Sequence, residues 1–158
     1  MSVAGAGAGA GGAAGDKLAF EVAATIDRPV EEVFDHVVEP GLLSSYFTSV
    51  SSGPLEEGAD VRWSWPDGQS ETVHVESVER NRTIVFTWPA FQVKTITRVT
   101  MRFEAAAAER TKVAIQESGW EDDAAGAGAK SAFEHCAGWQ HMLVCLKARM
   151  KFGVDLRG

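Results

Sequence analysis

A stripe of apolar residues near the end of the chain constrains the fold more than any other feature. Cys136, Trp139, Leu143, Leu146 and Met150 recur at three- and four-residue intervals within 132–154. At about 100° per residue they fall in one narrow arc, which predicts a long helix with an unbroken apolar face. Such a face needs a broad partner surface, and residues 50–117 supply one by changing period. Val61, Trp63 and Trp65 alternate with Arg62 and Ser64, and Val73 and Val75 with Thr72, His74 and Glu76. Ile84, Phe86 and Trp88 then alternate with Val85 and Thr87, Val99, Met101 and Phe103 with Arg98, Thr100 and Arg102, and Val113 and Ile115 close the series. Strict alternation with short spacers predicts an antiparallel meander buried on one face. Pro66-Asp67-Gly68 and Asn81-Arg82 mark bends by their residue chemistry. The alanine run 105–108 with Glu109-Arg110 is expected to form a hairpin tip.

Ahead of the meander, Leu18, Phe20, Val22, Ala24 and Ile26 alternate with smaller or polar residues and predict a first strand. Asp27 is expected to cap a helix, with Pro29 in its first turn and Glu31 and Glu32 near the positive end of its dipole. Val33, Phe34, Val37 and Val38 give that helix an apolar face. Pro40-Gly41 is expected to end it, and a second short helix is expected over 42–47. Residues 122–128 are small and acidic, a connector into the long helix from about residue 130 to 152. This order fits an α+β architecture in which a curved antiparallel sheet wraps one long helix. Residues 1–16 are almost entirely glycine and alanine and are expected to be a flexible leader, since they offer nothing large to bury. That leaves 17–158 as a single domain.

Fifteen basic against 22 acidic residues give a net charge of −7. A nucleic acid or an anionic membrane surface is thereby disfavoured as main partner, because both need a concentrated basic face. Lys147, Arg149 and Lys151 are the nearest approach to one, and they read as a solvated helix end. No apolar run approaches the roughly 20 residues needed to span a bilayer. Cys136 and Cys145 lie nine residues apart, roughly 13.5 Å along a helix and on opposite faces. A disulfide needs Cα atoms within about 7 Å, so these thiols are expected to be free. Free thiols without an export signal suggest the cytoplasm.

Three strings, taken in order, carry a resemblance. They are His36-Val-Val-Glu-Pro-Gly-Leu-Leu-Ser-Ser-Tyr-Phe47, Thr111-Lys-Val-Ala-Ile-Gln-Glu-Ser-Gly-Trp120, and Gly138-Trp139 followed by Leu143, Leu146 and Lys147. With the closing segment from Gly153 to Arg157, they resemble the SRPBCC (START-like, helix-grip) superfamily and, within it, the Hsp-ninety ATPase activator homologue family. The similarity covers residues 18–157. It implies a helix-grip α+β fold with two short helices after the first strand. It also implies a cavity between sheet and last helix that takes apolar molecules such as lipids or polyketides. A chaperone contact is a further partner the family name implies, but the chain has no room for the separate chaperone-docking domain of full eukaryotic activators. Tyr46 stands where the family commonly has tryptophan.

On this reading Trp63, Trp65, Phe86, Trp88, Met101, Trp139 and Leu143 form the apolar wall of a ligand site, with Tyr46 and Glu117 orienting the ligand. The same aromatic residues could instead fill a solid core. Glu117 shares the parity of Val113 and Ile115, so an inward, acid–base role is conceivable. The exposed strand-end reading is preferred, since burial of an unpaired carboxylate is costly. His74 is the other acid–base candidate of a cyclase- or hydrolase-like alternative, yet it alternates out of register with its apolar neighbours and is expected to face solvent. A third alternative is a chaperone-related interaction module, marked by an exposed apolar patch. His141 and Cys145, one turn apart, make at most half of a metal site, His135 projects elsewhere, and no second ligand pair is visible. No cofactor is expected, because no phosphate-binding glycine loop sits in a strand–helix context.

Overall fold

The computed structural model describes residues 17–157; the expected leader, 1–16, lies outside the described residues. Strand β1 (Leu18–Ile26) leads into helices α1 (Val30–Val38) and α2 (Pro40–Leu43). There follow β2 (Val50–Ser51), β3 (Asp60–Ser64), β4 (Ser70–Glu79), β5 (Thr83–Pro89), β6 (Ile96–Ala107), β7 (Arg110–Trp120) and the long helix α3 (Ala127–Phe152). All seven strands join one antiparallel sheet in the order β1-β7-β6-β5-β4-β3-β2. Helix α3, about 39 Å long at 1.5 Å per residue, crosses the concave face and lies against β1 and β7.

The alternation places the core as its period requires. Val61, Trp63, Val73, Val75, Ile84, Phe86, Val99, Met101, Val113 and Ile115 are buried on the inner face, where Trp139, Met142, Leu143, Leu146 and Met150 of α3 meet them. Turn chemistry acts where the sequence puts it. Gly68 adopts φ +87 between β3 and β4, and Asn81 adopts φ +61 between β4 and β5, the left-handed region those residue types tolerate.

Several local expectations shift. Asp27 caps no helix. Pro29 holds the N-cap position of α1 without a side-chain bond, while Asp27 pairs with Arg110 at 3.3 Å and Lys151 at 3.7 Å. Pro40 begins α2 rather than only ending α1, and α2 is a single turn followed by hydrogen-bonded turns to Phe47. The hairpin tip narrows to Ala108-Glu109, because β6 runs on through Ala107 with a bulge between Ala105 and Ala107. The acidic connector has a definite task. Asp123 Oδ1 accepts from the backbone N–H groups of Ala125 and Ala127, and Asp122 Oδ1 accepts from that of Ala129, satisfying the free donors at the start of α3. Gly128 is needed there, since a Cβ would fall 2.1 Å from the Glu121 carbonyl oxygen.

Candidate functional site

The inner-face alternation of β7 carries Glu117 beneath the N-terminal half of α3, opposite Val99 of β6 and Phe20 of β1. The exposed reading of Glu117 is therefore corrected: its carboxylate is fully buried. The cost of burial is offset because four donors converge on it. Oε1 accepts from Trp88 Nε1 at 2.8 Å, Thr97 Oγ1 at 2.6 Å and His135 Nδ1 at 2.9 Å. Oε2 accepts from Trp139 Nε1 at 2.6 Å and shares the His135 proton at 3.1 Å. Indole N–H groups only donate, so the carboxylate acts as a pure acceptor. The other ring nitrogen of His135 accepts the backbone N–H of Phe91 at 2.8 Å, which assigns the proton to Nδ1. Gly119, two residues beyond Glu117, adopts φ +118 with Ile96 O 3.4 Å from where its Cβ would stand. A larger residue there would push against the β6 end that carries Thr97.

Above this carboxylate lies an open cleft of about 210 Å³ between the sheet end and α3. Its lining is Phe47, Trp65, Trp88, Trp139, His135, Glu134 and Gly138. Trp88 and Trp139 are 5.2 Å apart between ring centroids and tilted by 37°, while Phe47 stands edge-on to Trp65 at 5.6 Å. Three of the lining rings, those of Trp88, Trp139 and His135, are bonded to Glu117, so one carboxylate fixes their orientation. An adjoining hollow of about 150 Å³ shares Trp65, Trp88 and His135 and adds Gln69, Glu71, Pro89 and Phe91. Gly138 contributes an absence of side chain on the helix side, and nothing lies within 4 Å of where its Cβ would be.

The structure thus brings Trp65, Trp88 and Trp139 to the cleft, with Glu117 buried behind the rings of Trp88, His135 and Trp139. Trp63, Phe86, Met101 and Leu143 do not line it. They pack behind it as closed core, each without exposed surface. Trp63 Nε1, though buried, has no partner among the described residues. Tyr46 is also away from the cleft, buried, and its hydroxyl donates to the His36 carbonyl at 3.0 Å; burial pushes that hydroxyl's pKa up. Its neighbour Phe47 takes the place at the cleft. His74 lies on the outer face, 2.5 Å from Asp60. His141 Nε2 is 3.5 Å from Cys145 Sγ, and Cys145 is the buried one of the two thiols, while Cys136, counted in the apolar stripe, is only half-buried.

Phe47, Thr97, Glu134, His135 and Gly138 belong to the site beyond the residues the sequence pattern points to. His135 precedes Trp139 by four residues, one helical turn on the same face, and Thr97 has the parity of Val99 and Met101. Those two signals were present in the sequence. As for chemistry, both oxygens of Glu117 and both nitrogens of His135 are already engaged. The arrangement orients the rings of Trp88, His135 and Trp139.

An antiparallel sheet curved around one long C-terminal helix, with an aromatic cleft at the helix–sheet junction, defines a helix-grip α+β protein. The chain belongs to the family described as Activator of Hsp90 ATPase homolog 1-like protein, whose profile matches residues 27–151. Among solved structures it is similar to protein SSP2350 from Staphylococcus saprophyticus, at 28% identity and TM-score 0.72, covering 89% of this chain and 96% of that one. It is similar in fold to the Aha1 dimer from Colwellia psychrerythraea, at 18% identity and TM-score 0.70, covering 86% and 98%. DynU16, from the dynemicin biosynthetic locus, matches at 23% identity and TM-score 0.73 over 85% of this chain and 48% of that one. No curated protein sequence matches significantly. No described helix is long and apolar enough to cross a membrane.

Proposed function

We propose that the protein binds a small molecule with a flat apolar or aromatic moiety in the cleft walled by Phe47, Trp65, Trp88 and Trp139. The observation that carries this reading is the commitment of one buried carboxylate to holding three cleft rings. Rings fixed in advance lose little freedom when a ligand stacks on them, which favours binding. Size sharpens the reading. At about 210 Å³ the cleft is smaller than the roughly 300–1,000 Å³ of drug-sized sites, so it takes a ring system or head group. The rest of a lipid- or polyketide-like molecule would extend along the adjoining hollow or into solvent. The DynU16 likeness is in keeping with a biosynthetic small molecule as occupant. Free thiols at Cys136 and Cys145 support a reducing, cytoplasmic setting.

Native mass spectrometry of protein purified from its own host tests whether a small molecule travels with it. Tryptophan fluorescence titrations against aromatic ligands then test the place. Gly138→Leu sets a branched side chain on the helix side of the cleft, where nothing lies within 4 Å of the new Cβ, and replaces glycine in a helix by a residue favoured by about 1 kcal/mol. It should abolish binding while the melting temperature holds or rises. Binding that survives both Gly138→Leu and Trp139→Ala would place the ligand elsewhere.

A further inference from the structure

Charge around the cleft is one-sided. Glu134 of α3 lines the cleft and Glu71 of β4 lines the adjoining hollow, so carboxylates stand on two different elements. Glu71 pairs in register with Trp63, whose side chain points to the concave face, so Glu71 shares that face. Neither carboxylate forms an ion pair among the described residues. Behind the rings of Trp88, His135 and Trp139 lies the buried carboxylate of Glu117, bonded by indole and hydroxyl donors and by His135. Among the described residues, no lysine or arginine lines either hollow. Lys130, one turn before Glu134, lines with it a third hollow that includes none of the cleft tryptophans, and no ion pair joins the two among the described residues.

Aromatic faces carry the negative end of the ring quadrupole, and tryptophan presents the strongest such face. Three tryptophans and a phenylalanine, flanked by the carboxylates of Glu134 and Glu71, which form no ion pair among the described residues, give the recess a negative potential. The geometry points to an organic ammonium ion, a methylated or ring-bearing amine, as the ligand class this cleft selects, a narrowing that rests on the binding reading above. The cationic group sits against Trp88 and Trp139 within reach of Glu134, and the apolar body lies along Trp65. The same field disfavours carboxylate-headed ligands such as fatty acids, which would bring a like charge to the rim.

Calorimetric titration of the full chain with three probes of similar shape tests this: benzyltrimethylammonium, its neutral carbon isostere neopentylbenzene, and anionic 3-phenylpropionate. Indole Nε1–H resonances report the site. The cation is expected to bind about tenfold more tightly than the neutral isostere at low salt, with the anion weakest. Glu71→Gln with Glu134→Gln, both exposed positions, should reduce the advantage to about threefold or less. Equal or tighter binding of the neutral isostere, or tighter binding of the anion, overturns the ammonium assignment while leaving the binding reading intact. If neither the cation nor the isostere binds and the indole resonances stay still, both readings fall.

Discussion

Replacing one oxygen of Glu117 by an amide nitrogen sets a donor against donors. Every group around that carboxylate gives a hydrogen bond, so Glu117→Gln leaves at least one buried N–H without a partner. A stability loss of about 2–3 kcal/mol is expected, read by urea denaturation, with the Trp88 and Trp139 indole resonances displaced. A loss below about 0.5 kcal/mol would show that the network is not what holds the rings. Only part of this was legible in the sequence. The parity of Glu117 with Val113 and Ile115 pointed it inward. Its burial is not legible there, because the donors that make burial tolerable come from Trp88, Thr97, His135 and Trp139, far apart in the chain. Local pattern carries the direction of a side chain, but not who waits for it.

At the level of elements, periodic segments read accurately and short connecting ones did not. Alternation located β1 and the meander because each strand has one buried face, and the helical stripe located α3. The stretch from Asp27 to Phe47 was harder. Asp27 has the chemistry of a cap but is drawn to Arg110 and Lys151 across the sheet edge. Single-turn α2 relies on tertiary partners rather than on propensity. Chief among these is Arg157, which donates to the Thr48 carbonyl at 2.7 Å and the Ser44 carbonyl at 2.9 Å while bonded to Asp155. The C-terminal segment thereby clamps the turn that presents Phe47 to the cleft. Arg157→Ala should cost only about 1 kcal/mol globally, yet hydrogen exchange over 44–48 should quicken well beyond that of the sheet. Uniform protection across both would refute the clamp.

For the whole molecule, the titrating groups predict stability limits at both ends of the pH scale. Hydrogen bonds from Arg157 hold the Asp155 carboxyl at about 2, against an ordinary 3.8. The unfolded chain takes up that proton first, so this contribution is complete above the ordinary value and fades as pH falls towards about 2. Tyr46 and Cys145 behave oppositely, because burial raises both. The unfolded chain ionises first, near 9.0 for the thiol and 10.0 for the phenol, so stability declines as pH rises through that range. Urea midpoints measured from pH 2 to 11 should trace both limbs, and Tyr46→Phe should flatten the alkaline one. An alkaline limb unchanged in that variant would exclude Tyr46 as its source.

The pairing of β1 with β7 joins the first strand of the chain to the last, Leu18 opposite Trp120. A ribosome releasing this chain from its N-terminus therefore delivers β1 long before its partner exists. Until about a hundred further residues have emerged, Phe20, Val22 and Ile26 must wait unpaired, and β6, made next to last, has an open edge. Folding is consequently a late event in synthesis, with a slow closure step set by distant contacts. The aromatic cleft is younger still, since Trp139 and His135 arrive only with the helix that completes it.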